Sequence, residues 1–199
     1  MHDAAKQLQT FVWRRLDQPG HDVCRLFKLS EGWRLEGVAI FFESGRAYDF
    51  RYKVTVDQGW KTRFATVLGH AGQKAVDLRI RPISGELWQA GSRDSKLTEQ
   101  CLDVDLGFSP STNMLAIRRL ALKVGQEAAA PAAWLNYKTM RLSTLPQSYR
   151  RVSKTSYQYE APTVGYRGTL LVSSEGAVVS YPKLFERLER PSKGFRSDA

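Results

Sequence analysis

Residues 46–56 read RAYDFRYKVTV, and this stretch decides the fold. Every second residue from Tyr48 to Val56 is apolar or aromatic, while the residues between them are small, polar or charged. Such alternation is typical of a β-strand with one buried face and one face in water. The same pattern recurs in residues 74–83, KAVDLRIRPI. The chain is therefore predicted to be mostly β, with antiparallel pairing.

Glycine-containing and polar clusters divide the rest of the chain into further short strands. These strands are predicted near 11–16, 23–29, 33–42, 46–56, 60–70, 74–83, 86–90, 101–108, 115–122, 133–138, 140–144, 149–153, 156–160, 165–173 and 177–181. Helix signals are limited to a helical turn within residues 2–10 and a short helix over 182–190, PKLFERLER. Because twist accumulates in a large sheet, the strands are expected to form one antiparallel sheet rolled into a barrel-like structure.

The predicted organisation is one β domain over residues 11–190, with an N-terminal tail at 1–10 and a C-terminal tail at 191–199. Apolar residues make up 42% of the 199 residues and aromatic residues 11%, which excludes a disordered chain. A net charge of +10 is spread along the chain and favours either an anionic partner or simply a basic surface.

Several classes of protein are not supported by the sequence. The N-terminus lacks the apolar core of a signal peptide, and no apolar run approaches the ~20 residues that span a bilayer, so a cytoplasmic location is predicted. Cys24 and Cys101 stand alone, as do His2, His21 and His70, and none has metal-ligand spacing. No metal and no cofactor are predicted.

Residues 101–122, CLDVDLGFSPSTNMLAIRRLAL, place two aspartates before a Pro-containing loop and two arginines after it. Alternation on both sides of the SPSTN loop predicts a hairpin of strands 101–108 and 115–122. The apolar positions change phase near Arg118 and Arg119, which predicts a β-bulge there with Asp105 opposite the two arginines. Two interpretations stay open: a structural ion pair, or an anion site at the bulge.

Several motifs in the chain, in order, carry a resemblance to a known family. They are Trp13-Arg14-Arg15, Leu35-x-Gly37, Tyr48-x-Phe50-x-Tyr52, Trp60-x-Thr62-Arg63, Cys101-Leu-Asp103-Val-Asp105, the SPSTN loop, Ile117-Arg118-Arg119-Leu120, Gln147-x-Tyr149 and Tyr181-Pro182-x-Leu184-Phe185. Together they resemble the putative glycolipid-binding family of bacterial proteins. The resemblance implies one spiral roll of antiparallel strands, with a distant likeness to lipoprotein carriers that hold acyl chains in an open half-barrel. It implies no catalytic residues.

The first functional hypothesis is a non-enzymatic protein that binds a lipid or glycolipid, with apolar groups inside the roll and arginines at its rim. The candidate lining residues are Trp33, Trp60, Trp88, Trp134, Tyr48 and Phe64. The candidate polar contacts are Arg118, Arg119, Asp103, Asp105, Asn113 and Tyr181. Each of these residues also has a plain interpretation as core packing or a surface charge.

The alternative hypothesis is a basic β-protein that binds nucleic acid or a phosphorylated small ligand on its outer face. Counting residues through the turns of the 46–83 segment places Tyr52 opposite Phe64. The same count aligns Lys53, Arg63 and Arg81 in a cationic row, which is either screened by solvent or binds an anion. No nucleophile motif and no metal spacing supports an enzyme.

Overall fold

The computed structural model describes residues 5–189. In this part of the chain the first eight strands are Lys6–Arg15 (β1), Gly20–Leu29 (β2), Gly32–Glu43 (β3), Arg46–Val56 (β4), Thr62–Ala71 (β5), Lys74–Ser84 (β6), Leu87–Ala90 (β7) and Arg93–Lys96 (β8). The later strands are Asp103–Asp105 (β9), Glu127–Ala129 (β10), Ala132–Asn136 (β11), Arg141–Leu145 (β12), Ser148–Arg151 (β13), Ser156–Ala161 (β14), Tyr166–Val172 (β15), Val178–Tyr181 (β16) and Phe185–Arg187 (β17). The α-helix α1 spans Asn113–Leu120, and short 3₁₀ turns span Pro110–Thr112 and Pro162–Val164.

Fourteen of these strands form one antiparallel sheet that curls without closing. Its order is β10-β13-β14-β15-β16-β17-β1-β2-β3-β4-β5-β6-β7-β8, so the first strand, β1, pairs with the last described strand, β17. A smaller sheet has the order β12-β11-β9, with β9 parallel to β11. The prediction of a mostly β chain with one large rolled antiparallel sheet is confirmed.

The segment that follows the SPSTN loop is a helix and not the predicted strand 115–122. The apolar positions change phase near Arg118 because the segment is helical. Residues 113–117 are all buried in the core, and Arg118 is exposed. Leu, Met, Ala and Arg are good helix formers. Pro110 begins the preceding 3₁₀ turn, and Ala121 ends the helix in the left-handed conformation, with φ of 45°. The hairpin and its bulge were therefore wrong.

Both predicted terminal helices also differ from the structure. Residues 6–10 belong to β1, and residues 2–4 of the predicted helical turn lie outside the described part. The segment after Pro182 makes a turn, in which the Leu184 N–H donates to the Tyr181 carbonyl at 2.9 Å, and then continues as β17. Pairing of β17 with both β1 and β16 replaces the predicted C-terminal helix. The division into one domain and two tails stays a prediction.

The pairing between β4 and β5 is shifted by three residues from the predicted register along most of its length, since Tyr52 lies opposite Val67 and not opposite Phe64. The register shifts again between Thr55 and Val56, where β4 leads into a wide loop over residues 57–61. Within it the Asp57 N–H donates to the Lys61 carbonyl at 2.9 Å, and Trp60 has a φ of 66°. The register was predicted by counting residues on both sides of an assumed tight turn, and such a count does not predict a wide loop.

Helix α1 lies inside the roll as part of its core. Met114 and Leu115 have no solvent-exposed surface, and Phe108, just before the helix, packs on Phe50 of β4 with ring centroids 4.8 Å apart. The smaller sheet is tied to the larger one at Thr62, whose hydroxyl accepts the Val104 N–H at 2.9 Å. The interior of the roll is thus occupied by the chain's own helix and side chains. Over residues 5–189, none of the helices has the length and apolar character needed to traverse a bilayer.

Candidate functional site

Asp22 is a charged side chain on the inward face of β2. It shares this face with Cys24 and Leu26, and only 1% of its surface is exposed. The Tyr52 hydroxyl lies 3.0 and 3.1 Å from the two carboxylate oxygens, and the Ser109 hydroxyl donates to Oδ2. The network thus joins β2, β4 and the SPSTN loop.

Tyr52 reaches Asp22 because its ring crosses the backbone of the strand between them. Gly37 of β3 lies directly opposite Tyr52, and a Cβ on Gly37 would overlap with the Tyr52 ring and hydroxyl. A side chain at position 37 would therefore displace the tyrosine. Gly37 of the Leu35-x-Gly37 motif thus has a packing role, since it leaves room for the Tyr52 ring.

Burial controls the ionisation of this network. Desolvation raises the pKa of Asp22 to about 7, although hydrogen bonds from Ser109 and Tyr52 oppose the shift. Burial also raises the pKa of the neighbouring Cys24 thiol far above its ordinary value. Since Asp22, Tyr52, Ser109 and Ser111 are all buried, they act as structural polar contacts within the core.

Two of the predicted ligand contacts, Asp103 and Arg119, form a buried ion pair with each other. Arg119 Nε lies 3.0 Å from Oδ1 of Asp103, and Nη2 lies 2.6 Å from Oδ2. Burial raises the pKa of Asp103, and the Arg119 guanidinium counteracts that shift. The pair links α1 to β9 of the small sheet, so it is a structural contact between elements.

Asp105 contacts neither arginine, which corrects the pairing predicted from the sequence. Its carboxylate accepts the Gly107 N–H at 2.7 Å, and burial raises its pKa to about 6. Asn113 donates from Nδ2 to the Tyr149 hydroxyl at 2.9 Å. Tyr181 is buried against Phe185 and neighbouring tyrosines. These residues belong to a polar, tyrosine-rich part of the core.

The predicted aromatic lining residues do not share one cavity. Trp88 is fully buried and Tyr48 stacks on Phe41 inside the roll, while Phe64 lies opposite Thr55 on the outer face. Trp134 is half-buried on β11. Trp33 and Trp60 are brought together, with ring centroids 4.9 Å apart and planes inclined by 18°.

The predicted cationic row on the outer face does not form. Lys53 lies opposite Thr66 and pairs with Glu36, with Nζ 3.1 Å from the carboxylate. Arg63 reaches Glu31 at 3.9 Å, and Arg81 donates to the Gln89 side chain at 3.1 Å. The repulsion that motivated an anion site therefore does not arise, because each cation contacts a different polar side chain.

An open groove of about 760 Å³ lies at one end of the roll, where several turns meet. It is formed by the loop between β4 and β5, the C-terminal end of α1, and the turns that follow β13 and β15. Its lining residues are Trp60, Ile117, Arg118, Ala121, Arg151, Lys154, Thr155, Tyr157, Val172, Ser173, Ser174 and Gly176. The groove combines apolar side chains with cations and hydroxyls.

Two of the groove's arginines lie over aromatic rings. Arg118 places its guanidinium carbon 5.1 Å from the centroid of Trp60, and Arg151 lies 5.6 Å from Tyr157. Trp60 and Tyr157 are themselves 6% and 3% exposed, so the rings form the floor and the guanidinium groups are the accessible surface. Among the described residues, no group of His, Cys, Asp or Glu has the arrangement of a metal site.

The comparisons with known proteins agree with this architecture. A family model described as "putative glycolipid-binding" matches residues 10–187. The chain belongs to this family. The family resemblance seen in the sequence motifs is thereby confirmed.

A solved structure of a member of the DUF1089 family supports the same fold. This crystal structure, of a protein from Pseudomonas aeruginosa, matches with a TM-score of 0.73 and 28% identity, over 84% of this chain and 91% of that chain. No match is found among the curated proteins. For this chain, membership of the family supports a binding function but specifies no ligand.

Sequence reasoning found Arg118 and Trp60 of the groove but missed Arg151, Lys154 and Tyr157. These residues lie on a β-hairpin more than thirty residues from α1, and no local pattern connects the two. A signal did exist for Asp22, because it alternates in phase with buried Cys24 on β2, and a charged residue on a dry face marks a buried network.

Proposed function

We propose that this chain is a non-enzymatic protein that binds an amphipathic glycolipid, with the polar head group in the groove at the end of the roll. The observation that carries the proposal is the mixed lining of the groove. Ile117 and Val172 provide apolar surface, while Arg118, Lys154 and Thr155 provide polar donors. A ligand with both an apolar and a polar part matches such a lining.

The site differs from the one expected from the sequence, in which acyl chains entered the roll. Met114, Leu115 and Phe108 fill the interior next to the sheet. Displacing these side chains would uncover a large apolar surface, which costs about 25 cal/mol for each Å². A ligand bound in the groove leaves the core intact, so this location is favoured. A cytoplasmic location stays part of the proposal.

A titration with octyl glucoside, a soluble neutral glycolipid, tests the proposal. Thr155→Trp should block the groove, because Thr155 is an exposed lining residue whose replacement leaves the core unchanged. Thr163→Trp is the matched control, since Thr163 is exposed in the 3₁₀ turn between β14 and β15, away from the groove.

The wild type and Thr163→Trp are expected to bind octyl glucoside with similar affinity by calorimetry, and Thr155→Trp is expected to lose binding. Equal binding by all three proteins would place the ligand elsewhere. A wild type that binds neither octyl glucoside nor an anionic lipid of comparable chain length would contradict the proposed function.

A further inference from the structure

The groove carries positive charge without a carboxylate in its lining. Three cationic side chains, Arg118, Arg151 and Lys154, face it, and no acidic residue is among the lining residues. Over residues 5–189, none of the three forms an ion pair with a carboxylate. From this we infer that the groove selects a phosphate-bearing head group. The inference rests on the proposed function and specifies the ligand class of that site.

Arg151 is the fixed charge of the site. Its guanidinium donates to three backbone carbonyls, those of Leu122 at 2.7 Å, Lys154 at 2.9 Å and Ser153 at 3.1 Å. These bonds hold the side chain in place, but carbonyl oxygens do not neutralise its charge. Because the guanidinium is already ordered, an anion that binds beside it does not have to immobilise a flexible side chain.

Arg118 is the exposed donor of the site. Its aliphatic stem lies against Gly176, where a Cβ would come within 3.1 Å of Cδ, and its guanidinium lies over Trp60. The stem and the ring restrict the side chain while its N–H donors remain open to the groove. A planar guanidinium with free donors matches two oxygens of a phosphate, which makes arginine the preferred residue for such ligands.

Lys154 and two hydroxyl residues complete the polar rim. Lys154 and Thr155 lie on the turn between β13 and β14, and Ser174 lies on the turn between β15 and β16. All three are exposed, so they can contact a ligand without reorganisation of the core. A phosphate accepts hydrogen bonds through three or more oxygens, and this rim supplies donors from two sides.

Glu175 is the acidic residue adjacent to the groove in the sequence. Its pKa is lowered, first by the neighbouring Ser173 side chain and also by the charge of Arg187, so it is ionised at neutral pH. Arg187 lies on β17, outside the groove lining, and its ion-pair partner is Glu189 at 3.9 Å. The three cations of the groove, Arg118, Arg151 and Lys154, outnumber this single carboxylate, so the net charge at the groove is positive.

The test compares three soluble probes by calorimetry. Dihexanoylphosphatidylinositol carries a phosphate, a ring of hydroxyls and acyl chains, octyl glucoside lacks the phosphate, and glucose 1-phosphate lacks the acyl chains. The groove variant combines Arg118→Gln with Lys154→Gln. The control combines Arg141→Gln with Lys96→Gln, which removes the same charge from exposed positions outside the groove.

We expect the wild type to bind dihexanoylphosphatidylinositol at least about tenfold more tightly than octyl glucoside, with affinity that falls as salt is added. The groove variant should lose about tenfold toward the phospholipid and clearly less toward octyl glucoside, which has no charged group for these cations to bind, while the control keeps both affinities. Weak binding of glucose 1-phosphate would identify a lipid head group as the source of the phosphate.

Three other outcomes separate the inference from the proposed function. If the wild type binds both amphiphiles equally and the groove variant changes neither, phosphate selection is overturned while lipid binding stands. If glucose 1-phosphate binds as tightly as the phospholipid and the groove variant abolishes both, the phosphate inference stands and the lipid function fails. If no probe binds, both are overturned.

Discussion

Arg119 and Asp103 are joined by two parallel hydrogen bonds, from Nε to Oδ1 at 3.0 Å and from Nη2 to Oδ2 at 2.6 Å. Asp103 is 1% exposed, so water does not solvate this carboxylate. The pair connects the last turn of α1 to β9, and it keeps the helix in one orientation inside the roll. Arg118, the residue just before Arg119 on the helix, lines the groove instead. Adjacent arginines therefore have different roles.

Replacing Arg119 by Met should lower the free energy of unfolding by about 3–5 kcal/mol at pH 8, because it leaves a buried carboxylate without its partner. The loss should be smaller at pH 5. The unpaired Asp103 then binds a proton in the folded state, and its charge disappears. Urea titrations at both pH values measure the effect. Arg118→Met is the control, with a change of about 0.5 kcal/mol or less expected at this exposed position.

Replacing Gly37 by Ala should destabilise the protein by about 1–3 kcal/mol, because the added methyl group overlaps with the Tyr52 ring. The displaced tyrosine also loses its bonds to Asp22. Gly59→Ala is the matched control, since a Cβ there comes no closer than 3.4 Å to Asp57. Thermal unfolding of both variants distinguishes the cases, and equal stability would mean that Tyr52 moves aside without cost.

Ionisation of Asp22 should weaken the fold as pH rises. The folded state raises the pKa of this carboxyl from 3.8 to about 7, so the folded protein binds the proton more tightly than the unfolded chain does. Stability from this group is therefore complete below pH 3.8 and decreases until about pH 7. At about 1.4 kcal/mol for each pKa unit, the decrease amounts to about 4 kcal/mol.

Asp22→Asn tests that pH dependence, because the amide resembles the protonated carboxyl. The stability of the variant relative to wild type should increase between pH 4 and pH 7 in urea titrations. Asp77→Asn, an exposed carboxylate on β6, is the control and should leave the pH profile unchanged. A parallel pH profile for Asp22→Asn and wild type would show that Asp22 is ionised normally.

The buried helix should be essential to the stability of the roll. Leu115→Ala removes a fully buried side chain of α1 and should cost about 2–5 kcal/mol. Leu171→Ala, at a position that is 45% exposed on β15, should cost about 0.5 kcal/mol. Since both sheets share one core with α1, tryptophan fluorescence and far-ultraviolet circular dichroism should report one unfolding transition. Two separate transitions would divide the chain into independent units.

The alternation of polar and apolar residues was sufficient to predict the long strands, but not which residues of neighbouring strands lie opposite each other. Period-two patterns located β2 to β6 within a few residues, because each strand buries one face against the core. The register between β4 and β5 depended on the wide loop at Trp60, whose positive φ is not encoded in any pattern of apolar residues. The cationic row of Lys53, Arg63 and Arg81 failed with that register.

The helix was missed for a related reason. Leu115, Ile117 and Leu120 fit a strand with a bulge as well as they fit a helix, since a short apolar segment lacks enough residues to distinguish periods of 2 and 3.6. Asp103 and Arg119 were recognised as functional candidates, and the structure brings them together. The groove could not be derived, because its lining comes from loops that meet only in the folded chain.

The pairing of β1 with β17 has a consequence for the order in which the chain is assembled during synthesis. Trp13 lies opposite Arg187, and the Leu188 N–H donates to the Val12 carbonyl at 2.8 Å. A ribosome releases β1 first and β17 last among the described strands, so one edge of β1 has no partner while nearly all of the protein is being made. Unpaired strand edges recruit other chains. The edge of β1 that later pairs with β17 is therefore open to other nascent copies until residue 185 emerges.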